Sequence, residues 1–163
     1  MIVIALGANI PSRAGMPRDT LNAALTALRE QGIRIAAISS FYATPAWPDP
    51  GDPPFVNAVA RIETGLSPPE LMTLLHATEE SFGRQRTKKN APRTLDLDLL
   101  DYDGRIEEGP PVLPHPRLGE RSFVLIPLAD IAPLWRHPAT KASLAELIEA
   151  LPPNERQITR LEA

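Results

Sequence analysis

KNAPRTLDLDLLDYD, running from Lys89 to Asp103, decides how the rest of this 163-residue chain is read. From Leu95 the residues alternate, with Leu95, Leu97 and Leu99 at odd positions and Asp96 and Asp98 between them. A period of two marks a half-buried strand, so the leucines face a core and both carboxylates leave the other side. Side chains two apart on one strand face are separated by roughly 6.5–7 Å, close enough for two acids to share hard cations. Mg²⁺ favours one or two protein carboxylates and completes its octahedron with water and phosphate oxygens. Two acids on the exposed face of an edge strand are also an ordinary solubility device, so the pair alone is a weak signal.

The context just upstream strengthens it. Arg84, Arg86, Lys88, Lys89 and Arg93 place five cations in ten residues with no acid among them, in a chain of net charge −3. A solvated basic loop has the same composition. Yet guanidinium groups beside paired carboxylates suit a polyphosphate–metal complex, in which arginine forks onto phosphate oxygens while the acids hold the bridging metal.

The whole chain sets outer bounds. Its length fits one domain, residues 1–163, with a single core and two layers of secondary structure. Hydrophobic and charged fractions of 43% and 23% are those of a globular protein. No apolar run reaches the roughly 18 residues of a membrane span. The opening MIVIALGANIP lacks a basic start and is too briefly apolar for a secretory signal, so a cytoplasmic location is expected. The absence of cysteine excludes disulfides and thiol catalysis, and three scattered histidines form no zinc motif. A mildly acidic balance argues against a nucleic-acid coat protein.

In chain order, Met1 to Leu6 reads as a buried strand turned by Gly7-Ala8-Asn9. From Pro17, the spacing of Leu21, Ala24, Leu25 and Leu28 predicts an amphipathic helix stopped at Gly32. Ile33 to Tyr42 reads as one strand leading into Thr44-Pro45. Four prolines between Ala46 and Pro54 forbid helix and interior strand, leaving a stiff loop that carries Trp47, either plain surface or a functional lid. Phe55 to Glu63 alternates again. Val56, Ala58, Ala60 and Ile62 form the core face, and Phe55 and Asn57 share the other. Ser67-Pro68-Pro69-Glu70 is a capping box with proline in the first turn, opening a helix with Leu71, Leu74, Leu75 and Phe82 on its buried stripe and Gly83 at its end. Glu79 in that helix is read as a solvated acid without a role. Asp103-Gly104 predicts a hairpin turn. His115 follows a proline-fixed path, Phe123 to Ala129 reads as a short helix, and Ser143 with Glu146 caps a last helix, Leu144 to Leu151. The tail beyond it carries no clear signal.

Strand, helix, two strands, helix, strand and extension is the order of an α+β protein with a ferredoxin-like antiparallel sheet, helices on one face and a C-terminal helical extension. The uncovered face would then carry Asp96, Asp98, Phe55 and Asn57.

The run from Lys89 to Leu100 resembles the signature of the 6-hydroxymethyl-7,8-dihydropterin pyrophosphokinases, folate-pathway enzymes that move diphosphate from ATP to a pterin alcohol. The resemblance extends to Gly7-Ala8-Asn9, Ser39 to Pro45, Phe55 to Ala58, Gly83-Arg84 and Pro114 to Arg117 through Phe123. It implies that Asp96 and Asp98 hold two Mg²⁺ ions with ATP as co-substrate, and that these acids act catalytically with Arg84 and Arg93. It implies nucleotide contacts from Arg84, Arg86, Arg93, His115 and Arg121, and a pterin site built of Thr44, Pro45, Phe55, Asn57 and Phe123. The expected partners are ATP and hydroxymethyl-dihydropterin, with neither nucleic acid nor membrane, and the chain acting as a monomer. Two other readings stay open from the residues alone. A two-metal nucleotidyltransferase would use the same paired acids but release diphosphate, and a ferredoxin-like nucleic-acid-binding module would use the basic loop.

Overall fold

The computed structural model describes residues 1–85 and 89–163. Its organising element is β1 (Ile2–Ala8), apolar at nearly every position, which pairs antiparallel with β4 (Phe55–Glu63) on one side and with β5 (Asp96–Tyr102) on the other. β2 (Arg34–Ile38) and β3 (Tyr42–Thr44) both pair antiparallel with β4, β2 at its C-terminal half and β3 at its start. The sheet path is therefore β5, β1, β4, β3 and then a short β6 (Thr159–Arg160).

The helices form as their end signals require. In α1 (Pro17–Glu30) Asp19 reaches back to the Met16 amide at 3.0 Å, and Gly32 ends the turn at φ +88°. In α2 (Pro68–Ser81) the Ser67 amide donates to Glu70 Oε2 at 2.8 Å, while Ser67 Oγ accepts from the Glu70 amide at 3.4 Å. These reciprocal caps satisfy donors that a helix start leaves unpaired. Both helices pack on one sheet face, where Ile4, Leu6, Ala60, Ile62, Leu97 and Leu99 meet Leu21, Leu25, Leu28, Leu71 and Leu75.

The opposite face corrects the expectation of helices on one side only. α3 (Ser122–Ile131) and α4 (Leu144–Ala150) cover much of it, enclosing Val3, Val59, Leu100, Val124, Leu125, Leu128, Leu144 and Trp135 in a second core. The physical reason is legible in β1 itself, since a strand apolar at consecutive positions needs cover on both sides. A register shift at Val3–Ile4 against β5 accompanies this, and Asp101, paired with Val3, accepts a 2.9 Å bond from the Trp135 indole.

Two further differences are local. The strand expected over Ile33 to Tyr42 breaks at Ser39, whose amide donates to the Val59 carbonyl and whose Oγ accepts from the Val59 amide, each at 2.9 Å. Its side chain takes a place in the ladder, the chain bends, and pairing resumes as β3. The Asp103-Gly104 turn forms with φ of 53° and 70°, but among the described residues no strand returns from it beside β5, so it is a turn without a hairpin.

Candidate active site

Two neighbouring cross-rows of the sheet build the site. Gly7 in β1 pairs with Asn57 on one side and Asp96 on the other, and in the next row Ala5 pairs with Val59 and Asp98. Asp96, Asp98 and Asn57 therefore share a face. It is the face of the second core, at the end where the first turn of α3 brings in Arg121 and Phe123.

The carboxylates sit among cations. Glycine at 83, with φ +84°, ends α2 so that Arg84 swings back along the sheet end, and Arg84 Nη1 donates to Asp96 Oδ1 at 2.6 Å, Glu79 Oε2 at 2.7 Å and the Leu95 carbonyl at 3.1 Å. Arg93 Nη1 reaches the other Asp96 oxygen at 3.1 Å, and Arg121 stands 3.7 Å from Asp98 Oδ2. Burial works against the Asp96 charge, but Arg84 and then Arg93 outweigh it and hold this carboxyl below the usual range. Asp98 has weaker compensation. Burial first, and the Asp96 charge second, push its carboxyl up to about 6. Burial, with Arg121 nearby, drives the His115 imidazole down to about 4, so the ring is neutral at pH 7.

Two cavities meet at Asp96. The wider, about 660 Å³, is lined by Thr44, Pro45, Phe55, Asn57 and Phe123 together with Trp47. The narrower, about 390 Å³, is lined by Arg84, Asp98 and His115 among others. Asn90, Arg93, Asp96 and Arg121 belong to both. In the wider cavity a guanidinium stands beside each aromatic ring, Arg93 at 5.4 Å from the Phe55 centroid and Arg121 at 5.4 Å from that of Phe123. The Asn57 amide is buried and fixed, because Nδ2 donates to Thr44 Oγ1 at 2.7 Å while Oδ1 lies over Gly7, where a Cβ would stand only 2.6 Å away. Exposed Trp47 stacks on Arg117 at 5.5 Å.

Every site residue expected from the sequence lines one of these cavities, except Arg86, which lies outside the described residues. A family model described as 7,8-dihydro-6-hydroxymethylpterin-pyrophosphokinase matches residues 3–133. The chain belongs to this family. Among its relatives, a 2-amino-4-hydroxy-6-hydroxymethyldihydropteridine pyrophosphokinase of Synechocystis is 42% identical over 90% of this chain and 74% of its own length. Proteins of the same name from Methylorubrum extorquens and Pseudomonas aeruginosa are 40% and 39% identical, over 80% and 93% of this chain and 81% and 91% of their own lengths.

Around this site, three contributors had no role assigned from the sequence. Glu79 is 1% exposed, and besides Arg84 it accepts the Leu97 amide at 2.8 Å, pinning the end of α2 to β5. The signal was its spacing, since Leu71, Leu75 and Glu79 recur every four residues on the buried stripe. Buried Asn9 ties three segments together, accepting the Arg93 amide at 2.8 Å and donating to the Pro53 carbonyl at 3.0 Å. The end of the last helix at Ala150 and Leu151, and the tail beyond it as far as Ile158, which carries no clear signal in sequence, line the wider cavity.

Proposed function

We propose that the chain, as a single domain, transfers diphosphate from MgATP to 6-hydroxymethyl-7,8-dihydropterin and releases AMP, a step of folate biosynthesis. The observation that carries this reading is the Asp96–Asp98 pair in an arginine-lined cavity, with Asp96 standing where that cavity joins an aromatic, amide-bearing one. Triphosphate belongs in the first, beside Arg84, Arg93, His115 and Arg121, and the pterin ring in the second. There Phe55 and Phe123 offer flat apolar faces, and Asn57 retains Oδ1 and one N–H for the ring edge. Thr44 and Pro45 complete that wall. The antiparallel order β5, β1, β4, β3, with α1 and α2 on one face, supports a ferredoxin-like core carrying a C-terminal helical layer on the other.

The donor set suits Mg²⁺. Among the described residues no group of three or more His, Cys, Asp or Glu side chains converges, so the protein offers two carboxylates and leaves the remaining positions to phosphate and water. Asp96 and Asp98 would hold the metal, which when bound supplies Lewis-acid polarisation of the phosphoryl group. The protein's own part is electrostatic and geometric. Arg84, Arg93 and Arg121 offset charge developing on the phosphoryl oxygens. The ring pocket aims the hydroxymethyl oxygen at the β-phosphorus for in-line displacement. Transfer to an alcohol requires exclusion of water, and the stiff loop contributes Trp47, stacked on Arg117, to the wall of the ring cavity.

The test is to incubate the protein with ATP, Mg²⁺ and hydroxymethyl-dihydropterin and identify the nucleotide product. AMP is expected, and diphosphate release would establish nucleotidyl transfer instead. Asp98→Ala should lower turnover by at least about 10³-fold while leaving pterin affinity in place, and wild-type-like turnover would remove the metal assignment.

A further inference from the structure

The family match ends at residue 133, yet the wider cavity is completed by chain from beyond it. Leu151, Asn154, Glu155, Gln157 and Ile158 line it together with the ring-binding groups already described. This segment is held at both ends. At its start Leu151 is buried in the second core, and Pro152 accepts the Glu155 amide at 2.9 Å in a turn stiffened by Pro152-Pro153. At its far end β6 pairs with β3, Arg160 Nε donates to Ser40 Oγ at 2.8 Å, and the Leu161 amide donates to the Phe41 carbonyl at 2.8 Å.

The anchor has a consequence for the site, because β3 also carries Thr44, the residue that fixes the Asn57 amide. Covering the open edge of β3 would by itself justify a two-residue strand. It would not require the preceding residues to run along a cavity with two carboxamides and a carboxylate on its surface. Carboxamides both donate and accept, as the mixed edge of a pterin requires. At about 660 Å³ the cavity lies within the range that encloses a small organic ligand, so its walls define what fits.

We infer that residues 152–158 form a fixed strap that selects the acceptor, with Asn154 and Gln157 setting the polarity of the ring-bearing molecule the cavity admits. The inference rests on the proposed function, since it takes a pterin as the occupant. A wall clamped at both ends needs no ordering on binding and so favours the acceptor it is shaped for.

Full-length Asn154→Ala/Gln157→Ala tests this. Both residues are exposed, so the variant should fold, and thermal melting checks it. The expected result is a roughly tenfold rise in KM for hydroxymethyl-dihydropterin, about the size of one hydrogen bond lost to a bound ring, with kcat and affinity for a non-hydrolysable ATP analogue unchanged. Gln157→Trp, which fills the cavity from the strap side, should raise the same KM and again spare the nucleotide. Unchanged pterin KM in both variants would overturn the inference and leave the tail as an edge cover. Parallel losses for pterin and nucleotide would overturn it as well, marking a structural role. Absence of AMP formation by the wild type is a different failure, that of the proposed function. Calorimetry with pterin and with the ATP analogue on wild type and variants still reads the strap in that case.

Discussion

Gly7→Ala separates the ring pocket from the stability of the fold. Gly7 sits in β1 between Asn57 and Asp96, and an added Cβ would lie 2.6 Å from Asn57 Oδ1 and 3.7 Å from the Phe55 ring. Ordinary contact begins near 3.4 Å, so the amide must retreat by about 0.8 Å, beyond the roughly 0.5 Å tolerance of a preorganised site. The buried amide cannot move freely, because Nδ2 is tied to Thr44. Two stability terms oppose each other. Alanine in place of glycine in ordinary strand backbone gains about 0.4–1 kcal/mol through the unfolded chain, while weakening the Asn57–Thr44 bond loses about 0.5–1.5 kcal/mol. The melting temperature should therefore stay within about 4 °C of wild type. Displacing the amide that meets the ring edge should lower kcat/KM for the pterin about 10- to 100-fold, or roughly 1.4–2.7 kcal/mol. The assay is AMP formation against pterin concentration, with nucleotide-analogue affinity measured separately. Unchanged pterin kinetics would refute the placement of Asn57 in the ring site. A large drop in melting temperature with equal loss of both ligands would refute the claim that the site alone is affected.

Glu79→Gln keeps an acceptor for the Leu97 amide but leaves Arg84 with one fewer carboxylate in a buried setting, so urea unfolding should register a loss of about 3 kcal/mol, and a loss below about 1 kcal/mol would show the ion pair to be dispensable. His115 has a folded pKa of about 4 against an ordinary 6.5, so between these values the unfolded chain takes up a proton that the folded chain refuses, and stability falls as pH drops through that window. The stability advantage of wild type over His115→Gln should accordingly shrink from pH 7 to pH 4.5, and a constant gap would contradict the neutral, half-buried ring. Trp47 is 62% exposed and Trp135 only 6%, so iodide quenching of the wild type reports chiefly on Trp47. Nucleotide analogue with Mg²⁺ and pterin should reduce that quenching as the loop closes, whereas undiminished quenching in the ternary complex would make the loop a static surface feature.

The parts of this site that were legible in sequence are those written in local period. Alternation in β5 sent Asp96 and Asp98 to one face, and alternation in β4 paired Phe55 with Asn57. The capping box at Ser67 and Glu70 set the start of α2. What stayed hidden depends on contacts between distant segments. Ser39 resembles any strand serine until its hydroxyl meets the Val59 amide. Glu79 resembles a solvated helix acid until Arg84 and Leu97 close on it, and only its place on the Leu71–Leu75 stripe hints otherwise. Cover on the second face was hidden for another reason. β1 signalled burial on both sides, but α3 and α4 lie so late in the chain that nothing local connects them to it.

The position of β1 bears on how the chain comes to be folded at all. This strand is made before its partners, since Ile4 pairs with Ala60 and Leu99, which are synthesised far later. Loop-closure entropy must be met before either pairing stabilises anything, so folding should be governed by non-local contacts and fall toward the slow end of small-domain rates. During synthesis the apolar segment IVIALGA waits unpaired until β4 and then β5 have been made, and in that interval it is exposed to aggregation.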